Sequence, residues 1–381
     1  MNLRKSYACL GLSLLIASSV PSSADILLVN AEGTGQYPTI QAAVDAAMDG
    51  DEVHFVAGMY ESEGNRDVNF RGKAITIRSE DLDPTSVFVC SFILDSGEGP
   101  SSVIQALTFH PFNCYPDNAL VFCQGTSPTI RDCTFSDNYD LTMFRNSAVG
   151  TPTLDGCRFI GNYVDDGRLF VFVAHGLVTL CLFQDNSVYN WGGGLISWDS
   201  VIEDCIFIGN VAGQGGGAID GSGTIRRCLF IENQQPISIT GDSTLESCTF
   251  VKNDSGLPGV VLVKGGSLSI TNSILAYNNV SGPPIQGVLS SISCMDIFGN
   301  VGGDWEGDLA QYLGQNGNIS ADPLFCNIDP GNYRTDYYLY ANSPCAPTHS
   351  NGCGLMGLYD VGCEPSSVEA KSWGKIKGMY R

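Results

Sequence analysis

Positive charge is scarce in this chain of 381 residues: 19 Lys and Arg stand against 40 Asp and Glu, a formal net charge of −21. Such a field repels nucleic acid, anionic lipid and acidic polysaccharide unless a cation such as calcium bridges them. Apolar runs of membrane length are lacking as well. The longest, ACLGLSLLIASSV at 8–20, is too short to span a bilayer. It follows Arg4 and Lys5 and precedes the small residues SSAD, the order of a secretory signal cut after Ala24. Cys9 lies at the front of this run, which argues against a lipoprotein anchor. The expectation is an exported protein, secreted or held at the cell surface, with no membrane span and no nucleic-acid partner. Segments of helical period are rare. TIQAAVDAAM at 39–48 places Ile40, Ala43, Val44, Ala47 and Met48 on one face, with Thr39 as a cap and Gly50 as a stop.

What the chain has in abundance is a repeat. CTFSDN begins at Cys133, CRFIGN at Cys157, CLFQDN at Cys181, CIFIGN at Cys205, CLFIEN at Cys228 and CTFVKN at Cys248. SILAYN, from Ser273, keeps the frame with Ser for Cys and Leu275 for Phe. A spacing of 20–25 residues is too short for a strand plus a helical crossover, yet it suits one coil of a solenoid. Cys205 and Phe207 lie two apart and so point to one side of a strand, with Ile206 on the other. Glu203 and Asp204 before the frame read as a bend. Parallel stacking of the coils about 4.8 Å apart makes a parallel β-helix. The phenylalanines then form one inward stack and the cysteines a second inward column. Asn138, Asn162, Asn186, Asn210, Asn233, Asn253 and Asn278 form a ladder at a bend, where stacked amides satisfy one another. The cysteine column reads as buried free thiols, as disulfides between adjacent coils, or as a metal site. The last is poorly served, because zinc needs four converging ligands. Cys326, Cys345, Cys353 and Cys363 form a separate group in an irregular terminal segment.

The stretch TIQAAVDAAMDGDEVHFVAGMY (39–60) resembles the opening of right-handed parallel β-helix proteins of the pectin lyase-like superfamily. SCMDIFGN, DWEGDLAQY and YANSPCAP resemble the terminal cap of bacterial secreted β-helix repeat proteins. GGGAI followed by FIGN-like frames resembles repeats of polymorphic outer-membrane adhesins. The resemblance implies an all-β, right-handed parallel β-helix with a short N-terminal capping helix and an irregular C-terminal cap. The corresponding divisions are a signal peptide at 1–24, cap and first strand at 25–60, coils at 61–300 and the C-terminal cap at 301–365. A basic, aromatic tail at 366–381 carries Lys371, Trp373, Lys375, Lys377, Tyr380 and Arg381, and suggests a sorting or docking role.

The resemblance also implies catalytic signatures to look for, and these are missing. MDIFG (295–299) only echoes the methylesterase DFIFG. Asp165, Asp166 and His175 of AHG lie too close together for a polygalacturonase, and NTD, RIK and the epimerase DPHD are absent. One patch remains. His175, Asp199, Ser222 and Asp242 each stand six residues before a column cysteine and should stack near one turn. Asp220, Asp165, Asp166, Arg168, Trp191 and Trp198 belong to the same coils. Carboxylates and an Arg beside aromatics suit a sugar surface, and stacked carboxylates suit calcium. The same residues also read as solvated turn positions. The leading expectation is a non-catalytic adhesive, structural or carbohydrate-binding module with a polysaccharide or cell-surface partner. It needs no cofactor, calcium being the one ion the patch invites. The alternative is a carbohydrate-active enzyme, a polysaccharide lyase or hydrolase.

Overall fold

The computed structural model describes residues 24–110, 119–147, 149–165, 170–189, 194–213, 215–255, 259–327 and 337–363. The chain winds into a right-handed parallel β-helix. A wide sheet of 19 strands takes two strands from most coils, a narrow sheet of 11 strands takes one, and short pairings mark a third edge. One coil illustrates the path. Leu195–Glu203 crosses the wide sheet, Ile206–Ile208 the narrow sheet and Val211–Ala212 the edge. Glu203 is still within the strand, so the bend is carried by Asp204 alone, at φ 54°. A second left-handed residue, Gly209 at φ 62°, turns the narrow sheet into the edge. A Cβ there would stand 2.5 Å from the Asp185 carboxylate oxygen one coil below. Neighbouring coils place Leu180 and Arg227 at the first bend and Asp185 and Glu232 at the second, all left-handed. Non-glycine residues at such angles cost about 1–2 kcal/mol each, so the packing inside the coils must outweigh that cost.

That packing follows the repeat. Phe109, Phe135, Phe159, Phe183, Phe207, Phe230 and Phe250 stack with centroids 4.4–4.9 Å apart and interplanar angles of 3–8°. The six column cysteines are buried and free. Their thiols donate to backbone carbonyls, as Cys157 does to Ile130 at 3.3 Å, and burial pushes Cys133 up to about 12. The asparagines satisfy one another. The Nδ2 of Asn210 donates to Asn233 Oδ1 and to the Phe183 carbonyl, each at 2.9 Å. Its Oδ1 accepts from the backbone N–H and the Nδ2 of Asn186. Asn300 adds a further rung beyond Asn278.

At the N-terminal end, Ile26–Val29 pairs with Glu52–Phe55, and the helix Ile40–Ala46 lies between them in sequence. Thr39 caps the helix by accepting from the Ala42 N–H. Ala47, in an extended conformation, ends it before Gly50, and the ammonium of Lys73 takes the carbonyls of Val44, Asp45 and Ala47. Ile40, Ala43, Val44 and Ala47 are buried in the main core, but Met48 lies past the helix end and is 61% exposed.

The C-terminal segment is more than a plug. Trp305 and Leu309 close the end of the main core. Residues beyond them fold back along the narrow sheet, whose outer face is apolar: Ile208, Leu229, Ile231, Val251 and Ile274 are buried under Phe325, Tyr337, Leu339 and Met356. The disulfides Cys294–Cys353 and Cys326–Cys363 pin this cover, and Cys90 is also disulfide-bonded. Beneath the cover, Asp296 Oδ2 accepts from the Cys345 thiol at 3.1 Å and Oδ1 from the Ala321 N–H at 3.0 Å. Burial pushes the Asp296 carboxyl up to about 7.

A folded-state value raised above the unfolded value of 3.8 means that folding favours the protonated acid. Stability is therefore highest at low pH in this respect, falls as pH rises from about 4 to about 7 and is flat above; the loss is about 4 kcal/mol. Asp296→Asn should flatten that slope in melts recorded across this window. An unchanged slope would remove Asp296 from the account.

Candidate functional site

The wide sheet bends between its two strands in each coil, and the predicted patch lies on this bend. His175 and Asp199 occupy it in left-handed conformations, at φ 55° and 54°. They are in register: the His175 N–H donates to the Trp198 carbonyl at 2.7 Å. The Asp199 N–H donates to Ser222 Oγ at 3.3 Å, and Asp242 Oδ1 accepts from the N–H and hydroxyl of Ser267. His175, Asp199, Ser222, Asp242 and Ser267 thus form one column across five coils. Trp198 projects beside it, 52% exposed, with its ring against the edge of Phe172 at 5.3 Å. An open groove of about 360 Å³ runs from Asp199 over the outer face of the sheet, lined by Thr224, Asp242, Thr244, Ser267 and Ser269. Two carboxylates and a row of hydroxyls therefore line this groove, and the exposed indole of Trp198 stands next to Asp199, outside the lining.

The other expected members do not all join it. Asp220 faces outward on the preceding strand, opposite Ser238. Its Oδ1 and the Ser238 hydroxyl are both buried. Burial raises the Asp220 carboxyl, opposed by the Ser238 hydroxyl and the charge of Lys264. Asp165 lies on the third edge instead, where its N–H donates to Asp140 Oδ1. The reason is its position in the coil: it follows a ladder asparagine, whereas the column residues precede a cysteine. Asp166, Arg168 and Trp191 fall outside the described residues. Among the described residues no three of His, Cys, Asp and Glu converge as a metal-binding group. Asp199 and Asp242 are kept a coil apart by Ser222.

A second constellation was not singled out from the sequence. Glu203 and Asp204 meet Arg226 and Arg227 of the next coil, with Arg226–Glu203 at 2.6 Å, Arg227–Asp204 at 2.7 Å and Arg227–Glu203 at 3.1 Å. Arg131–Asp155 repeats the arrangement at 3.0 Å. The signal was present: all these residues stand one or two places before a column cysteine. A cleft of about 750 Å³ opens beside them between the narrow sheet and the C-terminal cover, lined by Leu180, Leu182, Asp204, Arg227, Tyr338 and Tyr359. Asp204, reinforced by Glu203, holds Arg227 firmly charged. This arginine can clamp an anion only by exchanging partners, and it cannot accept a proton.

Residues 96–297, just over half of the chain, match a family model described as a right-handed β-helix region. The chain belongs to this right-handed β-helix family. No curated protein matches it. Among solved structures, the β-helix is similar to the PL6 family alginate lyase AlyGC, at 15% identity and a TM-score of 0.50. That match covers 88% of this chain and 57% of the lyase, so the chain spans little more than half of the lyase's length. It is also similar to a mannuronic acid specific polysaccharide family 6 lyase from human gut microbiota, at 14% identity and a TM-score of 0.42 over 72% of this chain and 80% of that one. At these identities the likeness is one of fold. The family match is to β-helices in general and carries no adhesin assignment.

Within this β-helix, Ser222 is the residue that separates two carboxylates. Ser222→Asp should stack three on successive coils, lowering the melting temperature in the absence of divalent ions and making it rise with millimolar calcium. The unaltered protein should show no comparable rise. A variant indifferent to calcium would contradict the stacking.

Proposed function

We propose that this β-helix protein is exported and recognises polysaccharide on the bend of its wide sheet. The observation that carries this reading is the groove of hydroxyls and carboxylates that begins at Asp199, the residue next to the half-exposed Trp198. An indole face packs against the C–H face of a sugar, while Thr224, Thr244, Ser269 and the carboxylates of Asp199 and Asp242 match its hydroxyls. The groove crosses successive coils from Asp199 to Ser267, and so runs along the solenoid axis, which suits a polymer better than a small molecule. Its acidity favours neutral chains, or acidic chains bridged by a cation. Export is supported by the signal-like residues 1–24 and by disulfides in the terminal cover, which persist in oxidising compartments.

A second reading, cleavage of the polymer by a lyase or hydrolase, is favoured by one specific observation. Glu203, Asp204, Arg226 and Arg227 meet on adjacent coils beside the larger cleft, on a fold shared with polysaccharide lyases. In the described residues these charges neutralise one another, and the arginines, held charged, cannot take up the proton that an elimination releases. An adhesive or purely structural role has only the repeats in its favour.

Affinity electrophoresis against neutral and acidic polysaccharides, with and without calcium, tests the proposal. Trp198→Ala should weaken retention by a bound polymer at least tenfold, and Asp199→Asn with Asp242→Asn should weaken it further. Retention unchanged in Trp198→Ala and in the paired aspartate variant would overturn the assignment of this strip.

A further inference from the structure

The third edge of the coil carries an aromatic feature that the wide-sheet groove does not use. The residue after each ladder asparagine is Tyr139, Tyr163, Ser187 and Val211 in successive coils. Tyr139 and Tyr163 are bridged across adjacent coils, and their rings stack with centroids 4.9 Å apart and planes 14° from parallel. Unlike the phenylalanine stack, this one is on the surface: Tyr139 is 61% exposed, and Tyr189, two residues beyond Ser187, is 64% exposed. The stack stops at the next coil, because Tyr163 pairs in register with Ser187. The face of Tyr163 turned towards Ser187 therefore meets no third described ring in the column. The space beyond it is bordered by the Ser187 hydroxyl, by Tyr189 and by Asp165, which sits beside Tyr189 in the parallel register. Desolvation first, and then the charge of Asp165, holds the Tyr163 phenol above its ordinary value.

We propose that this edge is a second glycan contact, in which a sugar ring of a neutral polysaccharide continues the stack over Ser187 by packing on Tyr163. A pyranose ring is about the size of a phenol ring and offers C–H groups to the aromatic face. Its hydroxyls meet the Ser187 hydroxyl, which can both donate to and accept from them. The flanking Asp140 and Asp165 and the net charge of −21 disfavour an anionic chain at this position. The inference rests on the reading of the chain as a polysaccharide-recognising protein, but it adds a surface separate from the Trp198 groove.

The test uses the whole protein and soluble neutral glucans and mannans, with a polyuronate as the anionic comparison. Two variants act in opposite ways. Tyr163→Ala removes the platform, whereas Ser187→Tyr adds a ring that fills the slot and extends the stack. Both should raise the dissociation constant for the preferred neutral polymer at least tenfold, and Ser187→Tyr should do so without lowering the melting temperature. Binding of that polymer should also perturb tyrosine absorbance in the unaltered protein. Full binding by both variants, lost only in Trp198→Ala, would overturn this inference and leave the wide-sheet groove standing. Preference for the polyuronate at this edge would overturn it as well. Loss in the edge variants with retention intact in Trp198→Ala would support the edge and count against the groove.

Discussion

Register is the constraint on which everything else in this protein depends. The asparagine ladder imposes it from inside. Each amide donates to the asparagine oxygen of the next coil and to the phenylalanine carbonyl of the previous coil, so a coil that slips leaves several buried polar groups unpaired at once. The phenylalanine stack favours the same register, because a one-residue slip would turn each ring to the other face, but it lacks the penalty of unpaired buried amides. The ladder selects one alignment and the stack supplies the burial within it. Two left-handed bends per coil, some at residues as unsuited to them as Leu180 and Arg227, are held by that combination.

The outer surface inherits the inner alignment. Because positions stack, the chemistry of one coil is placed beside that of the next without any local device. Asp199 stands beside Ser222 and Asp242 beside Ser267; Glu203 meets Arg226, and Tyr139 meets Tyr163. Binding strips on a solenoid are columns of this kind, and their length along the axis matches a polymer. The ion pairs are partly exposed and contribute about 0–1 kcal/mol each, so their interest lies in what they do to the cleft rather than in holding the coils.

Much of the interior was legible because it repeats. Phe207, Cys205 and Asn210 stand at a fixed spacing, and a fixed spacing in a parallel solenoid is a statement about neighbours. The same logic located His175, Asp199, Ser222 and Asp242 in one column. It does not reach Asp165, which counts from the asparagine rather than the cysteine and lies on the third edge, nor Tyr139 and Tyr163, which use that same count. It also passed over the arginine–carboxylate pairs, although they obey the cysteine spacing, because polar residues at a bend were read as bend formers. The cover over Ile208, Leu229 and Ile231 could not be read at all. Its contacts join residues of the central coils to residues near 325–356, and a pairing that occurs once leaves no period in the sequence. Met48 has a simpler cause: the apolar spacing continues past Ala46, but the helix does not.

The most direct test of the register is hydrogen exchange, resolved coil by coil, of the Asn210→Ala protein. Removing this one amide unpairs the Asn186 N–H and the amides of Asn186 and Asn233, and takes one of its donors from the Phe183 carbonyl. The account predicts protection lost by on the order of 100-fold in the coils around 181–233, with the distant N-terminal coils little changed. Exchange indistinguishable from the unaltered protein would show that apolar stacking alone sets the alignment and would contradict it.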